Sequence, residues 1–146
     1  MSSAEAQSRI LAATATRLLG VGAFKLNMQD VADEAGVSKG LIHYHFDNKD
    51  TLLARAVEWL AVEINEREAH ALDGATAQSA IEMLWRWIAS ELTLGHVRIL
   101  TELTYYPSPT VQASIQIAAQ YAEKQPREPS IRSSRHCNSG LEFRPT

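Results

Sequence analysis

The chain has 146 residues, of which 45% are hydrophobic and 21% charged, and its formal net charge is −3. This composition excludes a wholly disordered chain and a polycation that coats nucleic acid indiscriminately. The single cysteine excludes an intramolecular disulfide framework and a zinc site built of thiolates, and it favours a reducing, cytoplasmic setting. No apolar run approaches the roughly 18 residues of a membrane span, and the polar N-terminus does not resemble a signal peptide.

Two helices are predicted in the first 35 residues. Ser2 and Glu5 form a capping-box pattern, which predicts a first helix that ends near Leu19. Asn27 is a suitable N-cap for a short second helix over residues 28–35. The apolar residues of this second helix are spaced i, i+3, i+4 and i+7, so they form one buried stripe.

A tight turn and a third helix follow. Gly36 stands where a left-handed residue ends a helix, and Ser38 can cap a third helix that reaches about His45. Two short helices joined by such a glycine turn have the spacing of a helix-turn-helix, whose second helix enters the major groove of DNA. We expect Phe46 to anchor this third helix to the core. The outward residues of the helix include a lysine, a glycine and hydrogen-bonding aromatic rings.

The remaining pattern is also helical. A long fourth helix begins at Asp47 or Asn48, and a fifth spans residues 77–94. Two shorter helices follow, and the last of them ends near Glu123. The inner face of the fifth helix is predicted to consist of Ile81, Leu84, Trp85, Ile88 and Leu92. No segment alternates with period two for long enough to form a strand, so the fold class is all-α.

The run Leu26–Phe46 resembles the DNA-binding domain of the TetR family of bacterial transcriptional regulators. Its distinctive features are Gly-Val-Ser-Lys-Gly at positions 36–40, an aromatic cluster that ends in phenylalanine, and Lys49 three residues later. The resemblance covers about residues 9–53, roughly a third of the chain. One departure is His43, where many members have tyrosine, and it predicts a DNA affinity that depends on pH.

The resemblance implies which residues contact DNA, and the residue types support these roles. Lys49 has an argument of its own, because a cation in the first turn of a helix costs about 0.3–1 kcal/mol unless it serves an anion such as phosphate. A metal site at His43 and His45 is not expected, since residues i and i+2 of a helix face apart. The predicted DNA-binding residues are Asn27, Gln29, Ser38, Lys39, Gly40, Leu41, His43, Tyr44, His45 and Lys49.

The resemblance further implies two domains and two kinds of partner. Residues 1–47 would form a three-helix DNA-binding domain, and residues 48–124 a helical domain for ligand binding and dimerisation. A homodimer would then repress transcription from a palindromic operator and be released by a small-molecule effector. The candidate ligand-binding residues, which add aromatic, thioether and imidazole groups to the second domain, are Trp59, Met83, Trp87, His96 and Tyr105.

The last 22 residues differ in kind from the rest. Residues 125–146 hold four arginines and three of the five prolines, with few apolar residues, which indicates a non-globular tail. TetR-family members usually continue with two long helices that form the dimer interface. We therefore expect a fold that is incomplete at the C-terminus and a weakened dimer. The alternatives are an all-α ligand-binding protein and a truncated regulator, both without effective operator binding.

No enzyme is expected in this chain, because its residues offer no catalytic constellation. Ser38 is better explained as a helix cap than as a nucleophile, since no acid–base partner has a motif around it. No metal or cofactor is predicted either.

Overall fold

The computed structural model describes residues 2–124, and within this range the chain forms seven α-helices and no strand. The all-α prediction is therefore confirmed. The helices are α1 (Ser3–Val21), α2 (Met28–Ala35), α3 (Lys39–Phe46), α4 (Lys49–Ala71), α5 (Ala80–Leu94), α6 (His96–Thr104) and α7 (Pro109–Lys124). No helix in the described range is long and apolar enough to cross a bilayer. The predicted tail over residues 125–146 lies outside the described residues.

Local signals set the ends of the first helices. The Ser2 hydroxyl accepts a hydrogen bond from the Glu5 backbone N–H at 3.2 Å, and the Glu5 carboxylate accepts one from the Ser2 N–H at 3.3 Å. The predicted capping box is thus present. Helix α1 continues to Val21, two residues beyond the predicted end, because the chain turns only at Gly22, where φ is 81°. Helix α2 has the predicted bounds, and α3 is one residue longer than predicted.

One apolar cluster joins all helices except α5. Helix α4 lies at its centre, since it packs along α7 and against α1. Burial of each large aliphatic side chain stabilises the fold by about 1.5–3 kcal/mol. The fully buried members of the cluster include Ile10, Leu18, Val31, Ile42, Leu52, Leu53, Val57, Ile99, Leu103 and Val111. The three N-terminal helices therefore share their core with α4 and the C-terminal helices.

Helix α5 does not have the predicted orientation. Its supposed inner face is exposed, with Ile81 at 80%, Trp85 at 69% and Leu92 at 56% of full accessibility. The half-buried side instead carries Met83 and Trp87. The prediction was wrong because periodicity identifies the apolar stripe of a helix but not the element that covers it. Within residues 2–124, α5 meets α4 and α6 through the neighbouring side.

Candidate nucleic-acid interface

The turn between α2 and α3 is built around Gly36. Its backbone has φ 64° and ψ 40°, a left-handed conformation that glycine adopts at no steric cost. The N–H of Val37 donates to the carbonyl of Ala32 at 3.0 Å, and the N–H of Gly36 donates to that of Asp33 at 3.2 Å. This pair of bonds is a Schellman motif, which satisfies carbonyls at the end of α2. The turn therefore fixes the direction in which α3 leaves α2.

Helix α3 has one buried face and one open face. Ile42 is fully buried and Phe46 is 3% exposed, so these two side chains attach the helix to the core. Tyr44 is 81% exposed. The predicted contacts on the open face are Ser38, Lys39, Gly40, His43 and Tyr44, all of them exposed. Because α3 contains no acidic residue, this face presents cationic, hydrogen-bonding and small groups without a charge that would repel phosphate.

Two helix N-termini open onto the surface beside this face. The Asn27 side chain accepts a hydrogen bond from the Gln29 backbone N–H at 2.8 Å, and the Ser38 hydroxyl accepts one from the Leu41 N–H at 3.2 Å. Asn27 and Ser38 are therefore the N-caps that the sequence predicts. The Gln29 side chain is exposed and donates to Asp33 at 2.9 Å, whereas Leu41 is half-buried. Exposed N–H groups at such termini are suited to anions.

The link from α3 to α4 is short and strained. Asp47 has φ 58° and ψ −64°, and the Asn48 N–H donates to the Phe46 carbonyl at 2.6 Å. This is a γ-turn with positive φ, a rare conformation for a residue other than glycine. The His43 ring braces it, since Nδ1 donates to the Asp47 carbonyl at 2.7 Å. The bond assigns the proton of a neutral His43 ring to Nδ1 and leaves Nε2 on the open side as an acceptor.

His45 faces α1, unlike the other predicted contacts of α3. Its Nδ1 lies 3.3 Å from the Gln7 side-chain amide, which donates to it. Both residues line a groove of about 390 Å³ between α1, α3 and α4. The groove is completed by Leu11, Phe46, Arg55, Glu58, Trp59 and Val62. His45 is thus engaged within the protein, on a different side of α3 from Lys39 and Tyr44.

Lys49 contacts two groups on other parts of the chain. Its ammonium donates to the Phe24 backbone carbonyl at 3.2 Å and lies 5.7 Å from the centre of the Tyr106 ring. Burial lowers the pKa of Lys49, while the charge of Asp50 acts in the opposite direction. An ammonium has three N–H donors, and the Phe24 carbonyl uses one. Sequence reasoning placed this lysine correctly in the first turn of α4 but did not foresee either contact.

Helix α6 holds the end of α1, an arrangement that sequence reasoning missed. The Glu102 carboxylate accepts a hydrogen bond from the Ala23 N–H at 3.0 Å, and Arg98 donates to the Leu19 carbonyl at 2.5 Å. Arg98 and Glu102 also pair with each other at 3.0 Å. The i, i+4 spacing predicts that ion pair, but no local pattern indicates its backbone partners 79 residues away. These bonds connect α6 to the segment that leads into the helix-turn-helix.

The five candidate ligand residues occupy separate environments. Trp59 packs against the core and lines the groove beside His45. Met83 and Trp87 are half-buried on α5, and the Trp87 indole Nε1 is buried without a hydrogen-bond acceptor among residues 2–124. His96 is 8% exposed, whereas Tyr105 is 78% exposed. Of these residues, only Trp59 lines the described groove.

A buried ionic network joins α4, α5 and α6. Glu91 is 5% exposed and accepts hydrogen bonds from Arg67 at 3.0 and 3.3 Å and from His96 Nδ1 at 2.7 Å. Burial by itself raises the pKa of Glu91, but the hydrogen bonds and positive charge of Arg67, with a contribution from His96, lower it overall. His96 is thus used as a structural partner of Glu91 in this conformation.

The geometry defines a helix-turn-helix protein, and comparison with known proteins agrees. Residues 10–56 match the model of the family described as bacterial regulatory proteins, tetR family. The match covers 47 of the 146 residues, so it shows that this N-terminal segment is similar to that family. No match is found among curated proteins.

A solved structure from Mesorhizobium loti, assigned to a TetR-family transcriptional regulator, is similar with a TM-score of 0.63. The two sequences are 20% identical over 81% of this chain and 62% of the other. This likeness supports the same fold. The chain spans less than two thirds of the length of that relative.

Proposed function

We propose that the protein is a transcriptional regulator that binds a specific DNA duplex through α3. The observation that supports this most strongly is the exposed, acid-free face of α3, held in place by the Gly36 turn and the buried side chains of Ile42 and Phe46. Lys39 and Gly40 at its N-terminal end would contact base edges. The other contacts, to phosphates or neighbouring bases, would come from Asn27, Gln29, Ser38, His43, Tyr44 and Lys49.

The proposed operator complex contains two copies of the chain. Residues 1–47 would act as the DNA-binding domain of each copy, with residues 48–124 as its regulatory domain. The two recognition helices must then lie about 34–36 Å apart, or a multiple of this distance, to meet successive major grooves. A small effector would favour another spacing and release the DNA, so the protein would act as a cytoplasmic repressor. The indole N–H of Trp87, which has no acceptor among residues 2–124, supports an effector with a hydrogen-bond acceptor.

Specific DNA binding can be tested with the DNA that flanks the protein's own gene. Mobility shift of that duplex is compared with the shift of a scrambled duplex of equal length, in a titration of salt. We expect a complex with the flanking duplex that persists at salt concentrations where the scrambled duplex is released. Equal affinity for both duplexes at every salt concentration would contradict the proposal.

Replacing Lys49 with alanine is expected to weaken binding to all DNA sequences alike. A phosphate contact contributes to affinity through release of counterions, so the slope of log K against log salt should become less steep by about 1. Fluorescence anisotropy with labelled duplexes measures both quantities. Arg86→Ala is the control, because it removes the same charge from exposed α5. A Lys49→Ala slope equal to that of the control would exclude the phosphate contact.

Gly40→Ala should separate the stability of α3 from its function. A Cβ at Gly40 would lie 3.9 Å from the Ser38 hydroxyl, an ordinary contact, so the fold itself has room for alanine. Gly40 is the second residue of α3, so alanine should stabilise the helix by less than the difference of about 1 kcal/mol between the two residues in a helix interior. We expect greater resistance to urea together with roughly tenfold weaker operator binding, because the added methyl group obstructs the approach to base edges. Unchanged affinity would show that α3 does not approach DNA closely at this position.

A further inference from the structure

Tyr106 lies where three separated parts of the chain meet. It belongs to the link between α6 and α7, outside residues 10–56 that match the family model. Its ring centre is 5.3 Å from that of Phe24, in the loop between α1 and α2, and 5.7 Å from the Lys49 ammonium in the first turn of α4. Tyr106 therefore joins the α6–α7 link to the lysine that is proposed to contact a phosphate of DNA.

The α6–α7 link holds Tyr106 in a fixed position. The Tyr106 carbonyl accepts hydrogen bonds from the Ser108 N–H at 2.8 Å and from the Gln112 side-chain amide at 3.0 Å. The same Gln112 amide donates to the carbonyls of Leu103 and Thr104, at 3.1 and 2.9 Å. The Tyr106 ring is half-buried and packs against the apolar core. Both the backbone and the ring are therefore restrained before any partner binds.

The Tyr106 side chain contacts both charged residues in the first turn of α4. An aromatic ring attracts a cation that lies over its face within about 6 Å of its centre, and the Lys49 ammonium meets this condition. The hydroxyl donates to the Asp50 carboxylate at the long distance of 3.5 Å. Burial, followed by the charge and the hydrogen bond of Asp50, raises the pKa of the Tyr106 hydroxyl, so the hydroxyl remains a donor at neutral pH.

This restraint favours a phosphate contact by Lys49. A lysine has a long, flexible side chain, and ordering it on contact with DNA costs conformational entropy. Here the Phe24 carbonyl accepts one N–H of the ammonium at 3.2 Å and the Tyr106 ring attracts the same group, so part of this ordering precedes DNA binding. Because an ammonium has three donors, these two contacts leave a donor for a phosphate oxygen.

We propose that Tyr106 is a positioning residue for DNA binding, whose ring holds the Lys49 ammonium in place for phosphate. This inference rests on the proposed function and adds a determinant of affinity that lies outside the predicted DNA-binding domain of residues 1–47. Tyr106 acts through Lys49 and not through a DNA contact of its own. Its contribution is that of a partly exposed cation–π contact, about two- to fivefold in affinity.

A double-mutant cycle on the full chain tests this role. Tyr106→Leu removes the ring but keeps an apolar side chain, and Tyr106→Phe keeps the ring as the matched control. Fluorescence anisotropy measures the affinity of each variant for the flanking and the scrambled duplex, with Lys49 present and with Lys49→Ala. We expect Tyr106→Leu to weaken binding about two- to fivefold with Lys49 present and to have no effect with Lys49→Ala, whereas Tyr106→Phe stays close to the wild type.

The ring contact is also measured without DNA. The ring current of Tyr106 should shift the NMR resonances of the Lys49 ε-methylene protons upfield, and Lys49→Ala identifies these resonances by their loss. We expect the shift in the wild type and in Tyr106→Phe but not in Tyr106→Leu. Circular dichroism establishes that each variant is folded, and Tyr106→Met takes the place of Tyr106→Leu if the latter does not fold.

Three results would overturn the proposal: the same effect of Tyr106→Leu with and without Lys49, unchanged or tighter DNA binding by Tyr106→Leu, or Lys49 resonances that do not respond to loss of the ring. Equal affinity of the wild type for both duplexes contradicts only the proposed function. The cycle still decides the role of Tyr106 in that case, because phosphate contacts do not depend on sequence. A wild type that binds neither duplex contradicts both.

Discussion

Phe46→Ala is expected to lower the free energy of unfolding by about 3–5 kcal/mol and to abolish DNA binding. Phe46 is 3% exposed and belongs to the cluster that joins α3 to the rest of the protein. Removing its ring leaves a cavity at the last turn of α3. Since small domains are stable by only about 5–15 kcal/mol, a large part of the total is lost. Urea unfolding followed by circular dichroism measures the change.

Tyr44→Ala provides the control for this prediction. Tyr44 is an aromatic residue on the same helix, but it is 81% exposed and its removal leaves no cavity. We expect its unfolding free energy to stay within about 0.5 kcal/mol of the wild type, while operator affinity falls. Similar destabilisation by both substitutions would contradict the two-faced arrangement of α3.

Glu91→Gln is expected to destabilise the protein by about 2 kcal/mol near pH 7. Breaking a buried ion pair costs about 3–5 kcal/mol when the remaining charge stays buried, but the Arg67 side chain is 37% exposed and can be partly solvated. Glu82→Gln is the matched control, because it breaks an exposed pair whose carboxylate is 68% exposed. Its expected cost is below about 0.5 kcal/mol. Equal effects of the two substitutions would contradict the structural role of Glu91.

The same variant carries a pH signature. The pKa of Glu91 is lower in the folded protein than its ordinary value of 4.5, so its stabilising contribution is fully present above that pH. The contribution is lost as the pH falls through the lowered pKa of the folded state. The stability difference between wild type and Glu91→Gln should therefore shrink on acidification below about pH 4.5. A difference that stays constant to about pH 3 would exclude the lowered pKa.

The helix-turn-helix was predictable because short-range chemistry sets it. Asn27 and Ser38 cap helices whose N–H groups lie two or three residues away, and Gly36 forms its turn with carbonyls on the preceding turn of α2. Such bonds depend on local sequence alone, so α2 was predicted with its observed bounds. The predicted burial of Phe46 agrees with its position four residues after the buried Ile42, which puts both side chains on the same side of α3.

Long-range contacts could not be predicted in this way. The stripe of α5 was visible in the sequence, but whether it faces the core depends on which helices lie beside it. Likewise, the first-turn position of Lys49 indicated an anionic partner, whereas its contacts with Phe24 and Tyr106 join residues 25 and 57 positions apart. Gln7 and His45 lie 38 positions apart, so no local pattern indicates the hydrogen bond between them.

The γ-turn at Asp47 leaves the joint between α3 and α4 little conformational freedom. Only Asp47 and Asn48 separate the two helices. Asp47 is hydrogen-bonded to His43 of α3, and Asn48 is hydrogen-bonded to Phe46 of α3 and Thr51 of α4. A hinge absorbs motion through backbone torsions that are free to change, and this joint offers few of them. A tilt of α4 would therefore rotate α3 together with it, because the joint between the two helices bends little. Helix α4 has 23 residues and is about 35 Å long. A displacement at its far end would therefore turn the helix, and α3 would turn with it.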